Sequence, residues 1–161
     1  MQLDLMCVGK MKSGPDRQLL ERYTDRMVKS ASGVGMSWGG VREIAESRAS
    51  DAKSRKADEA KALFSNIRDP KTAIIVLDET GRDLTSRQWA ETIGTFRDNG
   101  RAALTVLIGG PDGHDPAIVE RADKLVSLGK QTMPHQLVRI IAAEQLYRVC
   151  TILAGHPYHR Q

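Results

Sequence analysis

Thr72-Ala73-Ile74-Ile75-Val76-Leu77-Asp78-Glu79-Thr80-Gly81 and Ala103-Leu104-Thr105-Val106-Leu107-Ile108-Gly109-Gly110 decide the architecture. Each opens on a continuous, uncharged run rich in β-branched residues and ends in a loop that carries glycine. Strands apolar on both faces belong to parallel sheets covered by helices on both sides. Working outward, residues 3–8 form another such run ending at Gly9, and residues 124–128 a last one ending at Gly129. Residues 36–41 make a weaker strand, because their glycines lower β-propensity.

Amphipathic segments separate these runs. Residues 16–30 place Leu19, Leu20, Tyr23 and Met27 on one stripe, and the charged segment 47–67 gains an apolar face from Ala57, Ala60, Leu63, Phe64 and Ile67. Thr85 with Gln88 forms a capping-box pattern for a helix that Asn99-Gly100 closes, and Asp115-Pro116 opens a short one. The alternation predicts a single α/β domain over residues 1–161, a parallel sheet of about five strands flanked by helices. The last segment, residues 136–153, is apolar around most of its circumference. A helix apolar on nearly all sides is buried on nearly all sides. In so small a chain, one face is expected to meet a second copy, giving a homodimer.

Bulk composition narrows the classes. A chain of 161 residues, 40% hydrophobic and 27% charged, can bury its own core without disulfides or a structural metal. Its net charge of +4 suits a polyanionic partner. Cys7 and Cys150 sit inside apolar runs and are expected as buried, reduced thiols. The first apolar run is short and interrupted by Asp4, unlike a secretion signal, and no stretch reaches the roughly 18 apolar residues of a membrane span. A cytoplasmic chain without membrane contact is expected.

Several chemistries are excluded by motif. The Gly-x-Gly-x-x-Gly dinucleotide fingerprint is absent after the first strand, and neither Gly9-Lys10 nor Gly129-Lys130 has the upstream glycine of a phosphate-binding P-loop. There is no Cys-x-x-Cys and no His-Glu-x-x-His, and the Gly-x-Ser-x-Gly match at Gly35 to Gly39 falls in the weak strand 36–41 rather than on a strand-to-helix elbow; His156 and His159 have ligand-like spacing but lack further ligands, so no metal is expected. Three loops remain, residues 77–81, 108–113 and 128–135, each leaving the C-terminal end of a strand. Ligands collect at such ends, and glycine there lets the backbone approach a flat ligand. The residues alone point to a nucleotide-like or cofactor ligand.

Leu77-Asp78-x-x-Gly81, Leu107-Ile108-Gly109-Gly110-Pro111-x-Gly113, Pro134-His135-x-Leu137-x-Arg139, Glu144-Gln145-Leu146-Tyr147-Arg148 and Pro157-Tyr158-His159-Arg160 occur together, in this order and spacing. As a set they resemble the RlmH family, the 23S rRNA (pseudouridine-N3) methyltransferases of the SPOUT superfamily. The likeness spans the chain, is specific from Leu77 onward and looser across residues 30–70. It departs at Gln161, where an acidic residue is frequent, and at Val149-Cys150, where a small–aromatic pair is usual.

The resemblance implies a SPOUT fold with a C-terminal trefoil knot, S-adenosylmethionine as cofactor, and an active site at the interface of a homodimer. The implied substrate is N3 of a pseudouridine in helix 69 of 23S rRNA, on the assembled ribosome. Carried over by motif, Leu77, Gly109, Gly110, Leu128, Gly129, Lys130, Gln131, Thr132 and Met133 would line the cofactor. Arg139, Glu144, Tyr158, His159 and Arg160 are the implied catalytic residues, with His135, Arg148 and His156 as further polar candidates. N3–H must lose its proton, and His159 and Glu144 are the candidate bases. Glu144 and Arg148 also stand in the favourable order for a helical ion pair. Arg139 requires an anionic partner, either Glu144 or, preferred, an RNA phosphate. The basic stretch 42–71, with Arg48, Lys53, Arg55, Lys56, Lys61 and Arg68, reads equally as phosphate contacts or a solvated face. Two alternatives stand beside this: a SPOUT enzyme acting on another RNA such as tRNA, and a non-catalytic ribosome-binding factor.

Overall fold

The structure, a computed structural model, describes residues 1–67 and 69–158. Along the chain run β1 (Gln2–Val8), α1 (Pro15–Ser32), β2 (Ser37–Ile44), α2 (Ala52–Asn66), β3 (Ala73–Asp83), α3 (Ser86–Asp98), β4 (Ala103–Ile108), α4 (Pro116–Arg121), β5 (Lys124–Ser127) and α5 (His135–Leu153). The five strands form one sheet in the order β2-β1-β4-β3-β5, and every pairing is parallel. Strand periodicity divides the core. Leu3, Leu5, Cys7, Ala73, Ile75, Leu77, Leu104 and Val106 face α1, α3 and α5, while Met6, Val8, Ile74, Val76 and Leu107 face α2 and α4. Apolar residues on both sides of each central strand are what continuous hydrophobic runs demand.

Where sequence and structure differ, a tertiary contact explains it. β2 extends through Ile44 because it pairs with β1 along that strand's whole length. α2 begins only at Ala52, since the Asp51 carboxylate caps it by accepting the Ser54 N–H at 2.9 Å; residues 47–50 stay outside the helix and Ala57 is exposed. The expected capping box at Thr85 and Gln88 forms, each side chain accepting from the other's backbone N–H. β3 runs well past Leu77. Leu77 and Arg82 both pair with Val126, so the intervening residues loop outward while the chain rejoins β5. At that crossing a Cβ on Gly81 would stand 2.5 Å from the Val126 backbone.

α5 lies against the sheet between α1 and α3. Ala142, Ala143, Leu146, Val149 and Cys150 are fully buried by the chain itself. Its all-round apolarity is thus largely explained within one copy, leaving Leu137 exposed and Val138, Ile141 and Ile152 half-buried. Both cysteines are free and buried, and loss of solvation pushes their thiols up, Cys7 to about 12 and Cys150 to about 11. Among the described residues no helix is long and apolar enough to cross a membrane.

Candidate functional site

The C-terminal ends of β3, β4 and β5 open into a cleft of about 350 Å³. Its walls are the expected loops: Leu77, Asp78 and Glu79; Ile108 to His114; and Ser127 to Met133, with His135 and Val138 of α5. Leu77, Gly109, Gly110, Leu128, Gly129, Lys130, Gln131, Thr132 and Met133 all line this one cavity. Separated by up to 56 positions, 133 − 77, they meet because parallel strands deliver their loops to the same edge.

Local chemistry shapes each wall. Residues 110–113 make a tight turn closed by Gly113 N–H donating to the Gly110 carbonyl at 3.0 Å, with Gly113 at φ 81°, a left-handed conformation suited to glycine. Gly109 is packed from within: a Cβ there would sit 3.2 Å from the His114 ring. On the third wall, the Ser127 hydroxyl accepts from Gly129 N–H at 3.0 Å and bonds the Gly129 carbonyl at 3.1 Å, folding the chain back as it leaves β5. Beside Leu77, the Asp78 carboxylate accepts from Thr80 N–H and Oγ1 at 2.9 and 2.6 Å. Burial pushes this carboxyl up, but the two Thr80 bonds outweigh it and leave Asp78 below its ordinary range.

His114 escaped the sequence reading. It follows Gly113 directly, yet only the fold buries it, to 8% exposure, with Nε2 unpartnered. Desolvation holds its pKa below the usual value despite the Asp78 carboxylate, which favours the neutral imidazole.

The residues expected for chemistry separate into two groups. Glu144 and Arg148 form the i,i+4 pair on α5, and Glu144 also accepts from Gln145 Nε2 at 2.8 Å and Tyr158 Oη at 3.3 Å. Arg148 stacks 4.9 Å from the Tyr158 ring centroid, and Tyr147 meets Tyr158 edge-on at 4.8 Å. The tail therefore returns to α5 at Tyr158; His159 and Arg160 lie outside the described residues. Arg139 departs from expectation. It is 3% exposed and donates to Glu43 at 3.1 Å and to the carbonyls of Val8 and Gly9 at 2.6 and 3.0 Å. Its partner is neither Glu144 nor a position open to RNA. From the second turn of α5 the Arg139 side chain reaches the end of β1, where terminal carbonyls need donors, and the guanidinium supplies them.

The basic stretch is likewise divided by its contacts. Arg42 is engaged with Asp4 at 3.7 Å and the Asn66 carbonyl at 3.3 Å, and Arg55 with Asp112 at 2.7 Å. Arg48, Lys53 and Lys61 stay exposed; Arg68 lies outside the described residues. No group of three or more His, Cys, Asp or Glu side chains among the described residues could hold a metal.

Comparison with known proteins identifies the family. The family model described as "Predicted SPOUT methyltransferase" matches residues 1–159. A Brucella anthropi protein named "Ribosomal RNA large subunit methyltransferase H" is 52% identical over 160 residues, covering 99% of both chains. A protein of the same name from Rhizobium leguminosarum bv. trifolii is 51% identical over 160 residues, again with 99% of each chain covered. Among solved structures, the A. aeolicus TrmH/SpoU tRNA modifying enzyme aligns with 99% of this chain and 81% of its own, at 14% identity and a TM-score of 0.41. With the family model matched from the first strand to the tail and relatives half identical along their whole length, the chain belongs to the SPOUT methyltransferase family.

Proposed function

We propose that this protein transfers a methyl group from S-adenosylmethionine to N3 of a pseudouridine in helix 69 of 23S rRNA, acting on the assembled ribosome. That it methylates large-subunit ribosomal RNA follows from the family and from relatives named for that activity. One observation carries the reading at the level of the site: a single glycine-walled cleft gathers every residue that the family motif assigns to the cofactor. Its volume falls at the lower end of the roughly 300–1,000 Å³ of small-molecule sites.

The walls suit a nucleoside carrying an amino-acid tail. Leu77, Ile108, Leu128 and Val138 offer apolar surface for a flat base, while the Gly109–Gly110 and Leu128–Met133 backbones offer N–H and C=O groups without intervening side chains. Asp78 and Glu79 supply negative charge at the mouth, complementary to a cationic ligand. Bound there, S-adenosylmethionine supplies a methyl group already activated by its sulfonium. The protein's own work is orientation and water exclusion, which can supply much of the acceleration.

The RNA side of the reading falls to the tail. Glu144 and Arg148 hold Tyr158 against α5, and the two residues that follow it in sequence, His159 and Arg160, would offer an imidazole and a phosphate fork to the target nucleotide. Glu144 or His159 takes the N3 proton. The homodimer and the trefoil knot belong to the same proposal. Half-buried Val138 and Ile141 beside exposed Leu137 support the first. The passage of residues 78–82 over the backbone of β5 supports the second.

Mass spectrometry of 23S rRNA from cells lacking this protein tests the assignment. N3-methylpseudouridine should vanish and return with the restored gene. Persistence of that nucleotide would overturn the assignment, and appearance of the lost methyl group in tRNA instead would move the activity to a different RNA. Truncation after Pro157 should abolish methylation while cofactor affinity stays within a few-fold; equal loss of both would refute the division between cleft and tail.

A further inference from the structure

α2 lies on the opposite face of the sheet from α5, yet two of its side chains reach the cleft's central turn. Arg55 forks Asp112, with Nε to Oδ2 at 2.7 Å and Nη2 to Oδ1 at 3.1 Å. Its third nitrogen, Nη1, donates to the carbonyls of Ala49 and Ser50 at 3.1 and 3.2 Å. Four residues on, Glu59 is 5% exposed and accepts from Ser47 N–H at 3.0 Å. A Cβ on Gly110 would approach Glu59 Oε2 to 2.9 Å, so this carboxylate packs directly against the turn. Residues four apart share a helix face, and this face meets Gly110 with one residue and Asp112 with the other.

We infer that the Arg55–Glu59 face of α2 is a brace that fixes the Gly110–Gly113 turn in its cofactor-binding position, making Arg55 a positioning residue for cofactor affinity. The inference rests on the cleft being the S-adenosylmethionine site. Surface ion pairs with a single contact contribute little. This one differs in geometry: a planar fork gripping a carboxylate bidentately is directional as well as attractive, and the same guanidinium ties down the segment before α2. Glycines give the turn freedom to lie close to a ligand, and the same freedom makes it costly to order on binding unless something outside the turn holds it. Arg55 therefore acts on the cleft through Asp112 and is not available as a phosphate contact.

The test is calorimetric affinity for S-adenosylmethionine on the full chain, with steady-state kinetics on ribosomes and thermal unfolding of each variant. Arg55→Ala should weaken cofactor binding about tenfold, with KM for cofactor rising and kcat at saturating cofactor held within about twofold. Arg55→Lys, a point charge without the fork, should recover only part of that affinity. The exchange Arg55→Asp with Asp112→Arg should bind better than either single change. Unchanged cofactor affinity in Arg55→Ala and Arg55→Lys, whatever their melting temperatures, would overturn the brace. So would a rise in KM for ribosomes alone, which would make Arg55 a phosphate contact. Wild-type protein that fails to bind S-adenosylmethionine would remove the cofactor reading and the brace with it, whereas wild-type binding with unaffected variants removes only the brace.

Discussion

Replacing Glu43 by alanine strips the buried Arg139 guanidinium of its carboxylate partner. Glu43 Oε1 accepts from Arg139 Nη1 at 3.1 Å and from Met11 N–H at 2.8 Å, and Arg17 Nη2 lies 3.0 Å from Oε2. Among the described residues the change leaves Arg139, with a side chain 4% exposed, held by the Val8 and Gly9 carbonyls with its Nε unpartnered, and it orphans the Met11 amide. Removing one member of a buried pair costs about 3–5 kcal/mol, because the remaining charge stays desolvated. Glu43 itself is 17% exposed, so water can partly replace it and the lower end, about 3 kcal/mol, is expected. At roughly 2–4 °C per kcal/mol for a domain of this size, the melting temperature should fall by about 6–12 °C. Arg139→Met in the same background removes the stranded charge and should restore part of the loss, with a coupling of about 2 kcal/mol in the double-mutant cycle. Urea unfolding at one fixed protein concentration reads each variant, since any self-association would make the midpoint concentration-dependent. A loss under 1 kcal/mol in Glu43→Ala, or strict additivity in the double variant, would refute the anchor. Wild-type stability in Arg139→Met together with lost methylation would return Arg139 to the substrate side.

Three further outcomes are expected. Gly81→Ala places a methyl group 2.5 Å from the Val126 backbone, where no side chain can yield, so soluble expression should collapse or unfolding shift by several degrees; wild-type stability would mean the crossing over β5 is looser than described. His114 has its folded pKa lowered by burial, so the stability tied to its neutral form is present above the unfolded value of about 6.5 and lost as pH falls below it. Urea midpoints between pH 7.5 and 5 should decline less in His114→Leu than in wild type, and parallel declines would contradict this. Cys7 and Cys150, raised to about 12 and about 11 by burial, should resist a thiol reagent at pH 8 in the native protein and react fully in denaturant; rapid native labelling would show one of them exposed.

Much of the cleft was readable from the chain because its signals are local. Continuous uncharged runs at 73–77 and 103–108 marked strands buried on both faces, and glycines in the loops after them marked where a ligand could approach. Thr85 and Gln88 announced their helix start because a capping box needs only four consecutive residues. The Glu144–Arg148 pair was legible for the same reason, as a spacing within one helix. The partner of Arg139 was not legible, because an arginine in an apolar turn signals a buried anion without saying which one. Glu43 is 96 residues distant. His114 was overlooked because nothing in Gly113-His114-Asp115 distinguishes a buried imidazole from a solvated one.

The division follows the range of the forces involved. Hydrophobic period, glycine after a strand and helix caps act within a few residues, so the sequence alone determined an α/β chain with glycine-bearing loops at the strand ends and motifs of the SPOUT methyltransferases. Long-range pairing decided the rest. The order β2-β1-β4-β3-β5 brought three distant loops to one edge, set Gly81 against β5, turned Arg139 inward to Glu43 and aimed α2 at the Gly110–Gly113 turn. Those contacts exist only once the sheet has closed, because desolvation and ion pairing depend on neighbours that the chain supplies from far away.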